Sequence, residues 1–286
     1  MDIGRNPLPE IINFDEVYAF KSEKSKYVCV LLDFKKQIPV DVLPNRKKEY
    51  LLNYFQKIPL EERKKVKYAC SDMYEVYRDV VHKVFPSCCM LLDYFHLSQD
   101  FHRKMNEVRI KVMKGYKDNK ASDEYYLLKK YNSHFKSYMN YYDLRKKLLE
   151  INNDLTICYS LKLELVDFYS KSTIDNAKVN LENLIRSCID TNIDEMIAFS
   201  NNLINWKQEI INSFTIVGTE YKVEADKGQV VVCNKKVNNA IIENRNKIIK
   251  CIKNNANGYT NWSRFRNRVM YVLDPNATFS LEPREK

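Results

Sequence analysis

IINFDEVYAF (residues 11–20), KYVCVLLDF (26–34) and QIPVDVL (37–43) decide how this chain folds. Each stretch is rich in β-branched, aromatic and other apolar residues, and only short gaps separate them. That pattern predicts three strands in an antiparallel meander. The period then changes. RKKEYLLNYFQKI (46–58) reads as a helix ended by Pro59, and VKYACS (66–71) as a strand. DMYEVYRDVVHKVF (72–85) reads as an amphipathic helix with Val76, Val80, Val81 and Val84 on one face, and CCMLLDYF (88–95) as a fifth strand.

The order β-β-β-α-β-α-β is the start of a ribonuclease-H-like fold. From about 97 to about 215 the pattern is helical, with no convincing strand. Asn192 followed by Glu195 suggests a capping box, and Met196, Phe199, Leu203, Trp206 and Ile210 form one apolar stripe. The tyrosines of KSYMNYYDL read as helix packing rather than base-stacking platforms. TIVGTEYKVEADKGQVVVC (215–233) reads as a connector with short β-like pieces. NNAIIENRNKIIKCIKNN (238–255) is a helix with Ile241, Ile242, Ile248, Ile249 and Ile252 on its buried side. NGYTN is a turn, and WSRFRNRVMYVL (262–273) the last helix. The expected architecture is α/β: a ribonuclease-H-like, retroviral-integrase-like mixed sheet with a large all-helical insertion. Its segments are 1–96, the first part of the core; 97–227, the insertion; 228–273, the glutamate helix and a basic C-terminal helix; and 274–286, a tail.

Composition narrows the chemistry. The 286 residues carry only five glycines, with no G-x-x-x-x-G-K and no G-x-G-x-x-G, so Gly-rich phosphate loops are excluded. No apolar run approaches the ~18 residues of a membrane span. Without an apolar signal core at its start, the chain is expected in the cytoplasm, its eight cysteines reduced. A zinc site from His82, Cys88 and His96 fits no standard ligand spacing. The net charge is +10, and residues 228–273 hold nine Lys or Arg against one acid, Glu243. Such a segment is expected to face a polyanion; the plainer reading is a solvated basic face.

Four acids stand where chemistry could use them. Asp15 lies inside an apolar strand, where Asp15 and Glu16 must point to opposite faces. Asp72 ends the fourth strand, and Asp72-x-x-Glu75 also reads as a plain capping box. Asp93 closes the fifth strand, with His96 one turn on. Glu243 lies on a helix with Lys247 at i+4, which a surface ion pair would explain equally. In the expected sheet the first and fourth strands are neighbours about 4.8 Å apart, so Asp15 and Asp72 could share a metal ion, with Glu243 as third ligand. Two ions about 3.5–4 Å apart would then suit phosphoryl transfer.

Four stretches carry a family resemblance. They are FDEVYAFKSEKSKYVCVLLDF, VDVLPNRKKEYLLNYFQKIPLEERKKVKYACSDMYEVYRDVVHKVFP, LLDYFHLSQDFHRKMNEVR and NNAIIENRNKIIKCIKNNANGYTNWSRFRNRV. In order and spacing they resemble the DDE transposases of bacterial insertion sequences, of the ISL-three-type family. The resemblance implies a catalytic, metal-binding triad of Asp15, Asp72 and Glu243. It also implies supporting roles for Asp93, His96 and Asn246, with Asp72 favoured over Asp93 as second ligand. It implies two Mg2+ or Mn2+ ions, transposon-end and target DNA as partners, and a homodimer or higher oligomer on DNA. In the host it places the protein in a bacterial cytoplasm, on the nucleoid when bound to DNA. Arg245, Lys247 and Lys250, extended by Arg264, Arg266 and Arg268, are expected to contact DNA phosphates. Family members usually carry a zinc motif and a helix-turn-helix ahead of the core, and neither stands before Asp15 here. Two readings follow: a transposase catalytic core that cuts and joins strands, or a truncated, non-catalytic DNA-binding or subunit-pairing remnant. A wider alternative is a ribonuclease-H-type nuclease.

Overall fold

The computed structural model describes residues 2–20, 25–129, 141–223, 230–277 and 279–280. In chain order the elements begin with β1 (Asp2–Ile3), β2 (Ile11–Val17), β3 (Val28–Asp33) and β4 (Pro39–Leu43). Then come α1 (Lys48–Gln56), α2 (Leu60–Arg63), β5 (Tyr68–Ser71), α3 (Glu75–Val84) and β6 (Cys89–Leu92). A helical stretch follows: α4 (Tyr94–Gly115), α5 (Asp123–Leu128), α6 (Tyr141–Ile151), α7 (Asn153–Lys171), α8 (Ala177–Asp190), α9 (Asp194–Asn205) and α10 (Lys207–Asn212). The chain closes with β7 (Ile216–Val223), β8 (Val230–Lys236), α11 (Ala240–Asn255), α12 (Trp262–Leu273) and β9 (Phe279–Ser280). The chain divides into a sheet unit, 1–93 with 215–286, and a helical unit, 94–214. None of the described helices is long and apolar enough to cross a membrane.

The sheet unit is built on five strands in the order β4-β3-β2-β5-β6. β2, β3 and β4 form the antiparallel meander, and β5 and β6 run parallel to β2. Both faces are covered, which is why the strands are apolar on both sides rather than alternating with polar residues. On one face Phe14, Cys29 and Leu31 pack with Leu51 and Phe55 of α1 and Tyr77, Val80 and Val84 of α3. On the other, Val17, Val28, Val30 and Leu32 pack with Ile242 and Ile249 of α11 and Phe265, Val269 and Met270 of α12. Burying each such side chain stabilises the fold by roughly 1.5–3 kcal/mol.

Two elements differ from the sequence expectation. The stretch expected as a connector forms the antiparallel hairpin β7–β8, which groups with the sheet unit, while the run of helices that begins with α4 ends with α10 at Asn212, close to the expected 215. The fifth strand ends at Leu92, and Tyr94 already starts α4.

The described part of the helical unit contains helices and no strand. Leu97, Phe101 and Val108 of α4 are buried, and Phe101 meets Phe199 of α9 edge-on at 5.1 Å between centroids. The expected stripe Met196, Phe199, Leu203, Trp206 and Ile210 is buried throughout, though the helix breaks at Trp206 and resumes as α10. The Asn192 capping box does not form. Asn192 sits at φ 55° in the short link between α8 and α9, a left-handed position asparagine tolerates, and Ile193 occupies the cap of α9. Of the KSYMNYYDL tyrosines, Tyr138 lies outside the described residues.

Candidate catalytic site

Strand register builds the site. Asn13 pairs with Cys70 across β2 and β5, and Ser71 pairs with Leu92 across β5 and β6. Continued past the last pairs, that register sets Asp15 level with Asp72, and Asp72 level with Asp93. Three aspartates therefore stand at the same end of three adjacent, parallel strands. The Cys70 thiol at the centre of this row is pushed well above its ordinary value, first by burial and then by the charges of Asp93, Asp15 and Asp72.

Each aspartate is held differently. Asp15 is buried on the α11 face; its Oδ2 accepts from Asn246 Nδ2 at 2.8 Å and its Oδ1 from the Glu16 N–H at 2.8 Å. Glu16 points the other way, where Arg46 and the Tyr77 hydroxyl donate to it. Asp72 sits between β5 and α3, its Oδ1 accepting from the Tyr74 N–H at 3.2 Å. That is an Asx-type turn leading into the helix, not the reciprocal capping box with Glu75. Asp93 is 3% exposed, and its N–H donates to the Ser71 carbonyl.

Helix α11 brings the fourth carboxylate. Asn239, Ile242, Glu243, Asn246 and Ile249 recur at three-to-four spacing, so they share one side of the helix. Ile242 and Ile249 enter the core on the sheet's α11 face. Asn239 precedes the first turn and anchors it: its Nδ2 donates to the Phe14 carbonyl at 3.3 Å, and its N–H to Asp93 Oδ1 at 3.4 Å. Asn13 Nδ2 donates in turn to Asn239 Oδ1 at 2.7 Å and to the Asn238 carbonyl at 2.8 Å. With the helix fixed this way, Glu243 and Asp93 hold carboxylate oxygens within 4.8 Å of each other. Like charges that close repel unless a cation or proton intervenes.

The donor set fits a hard divalent cation. Asp93 and Glu243, the two of these carboxylates that come within ligand distance of each other, are of the ligand type that magnesium and manganese prefer, while among the described residues Asp15 and Asp72 are not part of that group. Asn246 Oδ1, on the side chain that contacts Asp15, is buried with no hydrogen-bond partner among the described residues. A buried acceptor left open beside carboxylates suits a hydrated ion, whose waters donate.

The remaining expected residues divide. His96 belongs to the first turn of α4 in the helical unit. Lys247 and Lys250 are exposed on α11, and Arg264 and Arg268 on α12. Arg245 donates from Nε to the Gln37 carbonyl at 3.2 Å. Arg266 faces inward: it is buried, paired with Asp41 at 2.6 Å, and donates to the Ile3 carbonyl at 2.6 Å. It holds α12 to the sheet and cannot present its guanidinium to DNA, contrary to the sequence expectation. Two residues that sequence reasoning missed are Asn13 and Asn239. Their signal was a polar Asn in the otherwise apolar run IINF and a second Asn at the start of the glutamate helix.

A family model described as a transposase matches residues 12–230. No curated protein matches the chain.

Proposed function

The chain belongs to the ISL3-type DDE transposases, and from that premise we propose that its sheet unit is a metal-dependent catalytic core for DNA strand cleavage and strand transfer. The fold we infer is ribonuclease-H-like; the meander β2-β3-β4 followed by β5 and β6 parallel to β2 supports it. One observation carries the reading: the register of β2, β5 and β6, continued past Asn13–Cys70 and Ser71–Leu92, leads to Asp15, Asp72 and Asp93, and a Glu243 oxygen lies within 4.8 Å of one from Asp93. Asp15, Asp72 and Glu243 are the proposed metal ligands. Asp93 joins them, because one of its carboxylate oxygens lies within 4.8 Å of one from Glu243.

Two bound Mg2+ or Mn2+ ions would lower the pKa of an attacking water and offset charge on the phosphoryl oxygens. The chain's own residues prepare that chemistry. Asn246 and the Glu16 N–H fix the two oxygens of Asp15, and so the direction in which its carboxylate faces. Asn13 and Asn239 fix where α11 begins, and so how far Glu243 reaches. Lys247 and Lys250 on α11, with Arg264 and Arg268 on α12, are the cations proposed to hold DNA backbone, which positions a duplex without reading its sequence.

The test is a nicking assay on supercoiled and linear DNA with added Mg2+ or Mn2+. Wild-type protein should cut only with metal, and Asp72→Asn should not cut at all. Cutting that survives Asp72→Asn would remove Asp72 from the set. No cutting by wild type, together with retained DNA binding, would favour the non-catalytic reading. Cleavage of an RNA–DNA hybrid in place of DNA would favour a ribonuclease-H-type activity.

A further inference from the structure

The edge of the sheet that carries the aspartates also carries aromatic rings that the core does not use. Tyr18 is the first residue after β2 and Tyr27 the last before β3; the neighbouring pair Val17–Val28 brings the two opposite each other. Their rings meet edge-on with centroids 5.7 Å apart. Both stay open to solvent, Tyr18 49% and Tyr27 39% exposed, whereas Tyr77 nearby is fully buried.

Cations hold these rings in place. Lys253 of α11 puts its Nζ 5.0 Å from the centroid of Tyr18. The Arg46 guanidinium, itself paired with Glu16, lies 4.5 Å from the centroid of Tyr27 and 4.7 Å from that of Tyr74. Tyr74 in turn gives its N–H to Asp72. Because β3 is antiparallel to β2 and β5 is parallel to it, Tyr18, Tyr27 and Tyr74 all lie at the edge where Asp15 and Asp72 lie. Lys253, the Tyr18–Tyr27 pair, Arg46 and Tyr74 thus form a ladder of rings and cations at that end of the sheet, with Arg46 on the Glu16 side of β2 and Asp15 on the α11 side.

We propose that this ladder is a stacking platform for an unpaired DNA strand, with nucleobases on Tyr18 and Tyr27 and the backbone passing Lys253. The inference rests on the DNA-processing reading above and names the form of DNA that the site takes. A duplex keeps its bases stacked on one another, so it cannot use exposed rings. An unpaired strand can, and it combines that stacking with phosphate contacts to nearby cations. Propping each ring with a cation limits its freedom before the strand arrives, which reduces the ordering cost of binding.

The experiment measures binding of two fluorescent strands to the full chain by anisotropy, in EDTA so that cutting plays no part. One strand is oligo-dT and the other an abasic strand of equal length and charge. Wild type should bind oligo-dT about tenfold or more tightly than the abasic strand. Tyr18→Ala/Tyr27→Ala should lose that preference and bind both strands as wild type binds the abasic one. Tyr18→Phe/Tyr27→Phe should keep it, since the ring and not the hydroxyl stacks. The single variant Tyr18→Ala, at a half-exposed ring, gives the same readout if the double variant fails to fold. Equal binding of both strands by wild type, or a preference that survives in the Ala variants, would overturn the platform. Metal-dependent nicking by the same samples reports separately on the carboxylates, so a failure of one reading is distinguishable from a failure of the other.

Discussion

The sheet unit and the helical unit spend their buried volume differently. The helical unit buries apolar side chains along helix faces, and its polar interior is sparse: Asp100, for example, pairs with Arg103 and accepts from Asn202 Nδ2 at 2.7 Å. The sheet unit buries Asn13, Asp15, Ser71, Asp93, Asn239 and Asn246, most of them joined by hydrogen bonds between β2, β6 and α11. Buried polar groups cost stability unless satisfied, so a cluster of them where an apolar core would serve packing better marks the part of the molecule built for chemistry.

The largest expected effect breaks that contrast at its centre. Glu243→Gln keeps the volume and the α11 packing but removes a charge beside Asp93. Metal-dependent cutting should fall to background, while DNA binding is unchanged or tighter because a negative charge near phosphate is gone. Anisotropy and nicking on the same protein check both halves. Retained cutting would show that the Asp93–Glu243 approach is structural.

A second comparison sets one buried residue in each unit against the other. Arg266→Ala leaves Asp41 buried without its cation and should cost about 3–5 kcal/mol. Phe199→Ala should cost a similar ~3–5 kcal/mol through a cavity. The rescues should differ. Phe199→Leu should regain most of the loss, because an apolar core tolerates a change of shape. Arg266→Lys should regain little, because Arg266 reaches Asp41 through Nε and Nη2 and the Ile3 carbonyl through Nη1, and one ammonium cannot reproduce that fork. Denaturant unfolding of the four variants checks this. Equal rescue would mean that the polar network of the sheet unit tolerates geometry as freely as the helices do.

The same contrast explains what the sequence made legible. The strands could be read because two-sided burial makes IINFDEV, VCVLLD and PVDVL nearly continuous in apolar residues. The helices could be read because their stripes keep one period. Asp15 could be placed inside a strand and Asp72 and Asp93 at strand ends, because each interrupts or ends an apolar run. The hairpin β7–β8 was hidden: its exposed Tyr221, Val230 and Val232 give no buried face to set an alternation. The Asn13–Asn239 bond was hidden too, since it joins positions 226 residues apart and sequence spacing carries no information about it. Arg266 was read with its neighbours as part of one basic run. A helix turns about 100° per residue, so Arg264 and Arg268 share a side, while Arg266, two residues from each, falls across the helix from them.

The smallest expected effect sharpens the comparison where the sheet unit meets its partner. Lys247 and Lys250 are exposed on α11, one turn apart and on the solvent side of the helix that carries Glu243. If each neutralises one phosphate, each releases condensed counterion on binding, and the log–log dependence of affinity on salt steepens by about 0.9 per contact. Lys247→Ala/Lys250→Ala should therefore shallow the slope for duplex DNA by up to about two units, equally for any sequence. Arg264→Ala/Arg268→Ala on α12 should act in the same direction. Lys178→Ala, an exposed cation of the helical unit, should leave the slope unchanged if DNA binding belongs to the sheet unit alone. A titration from low to moderate salt measures all three. An unchanged slope for the α11 pair with a shallower one for Lys178→Ala would move the DNA-holding surface to the helices and leave the sheet unit with the carboxylates only.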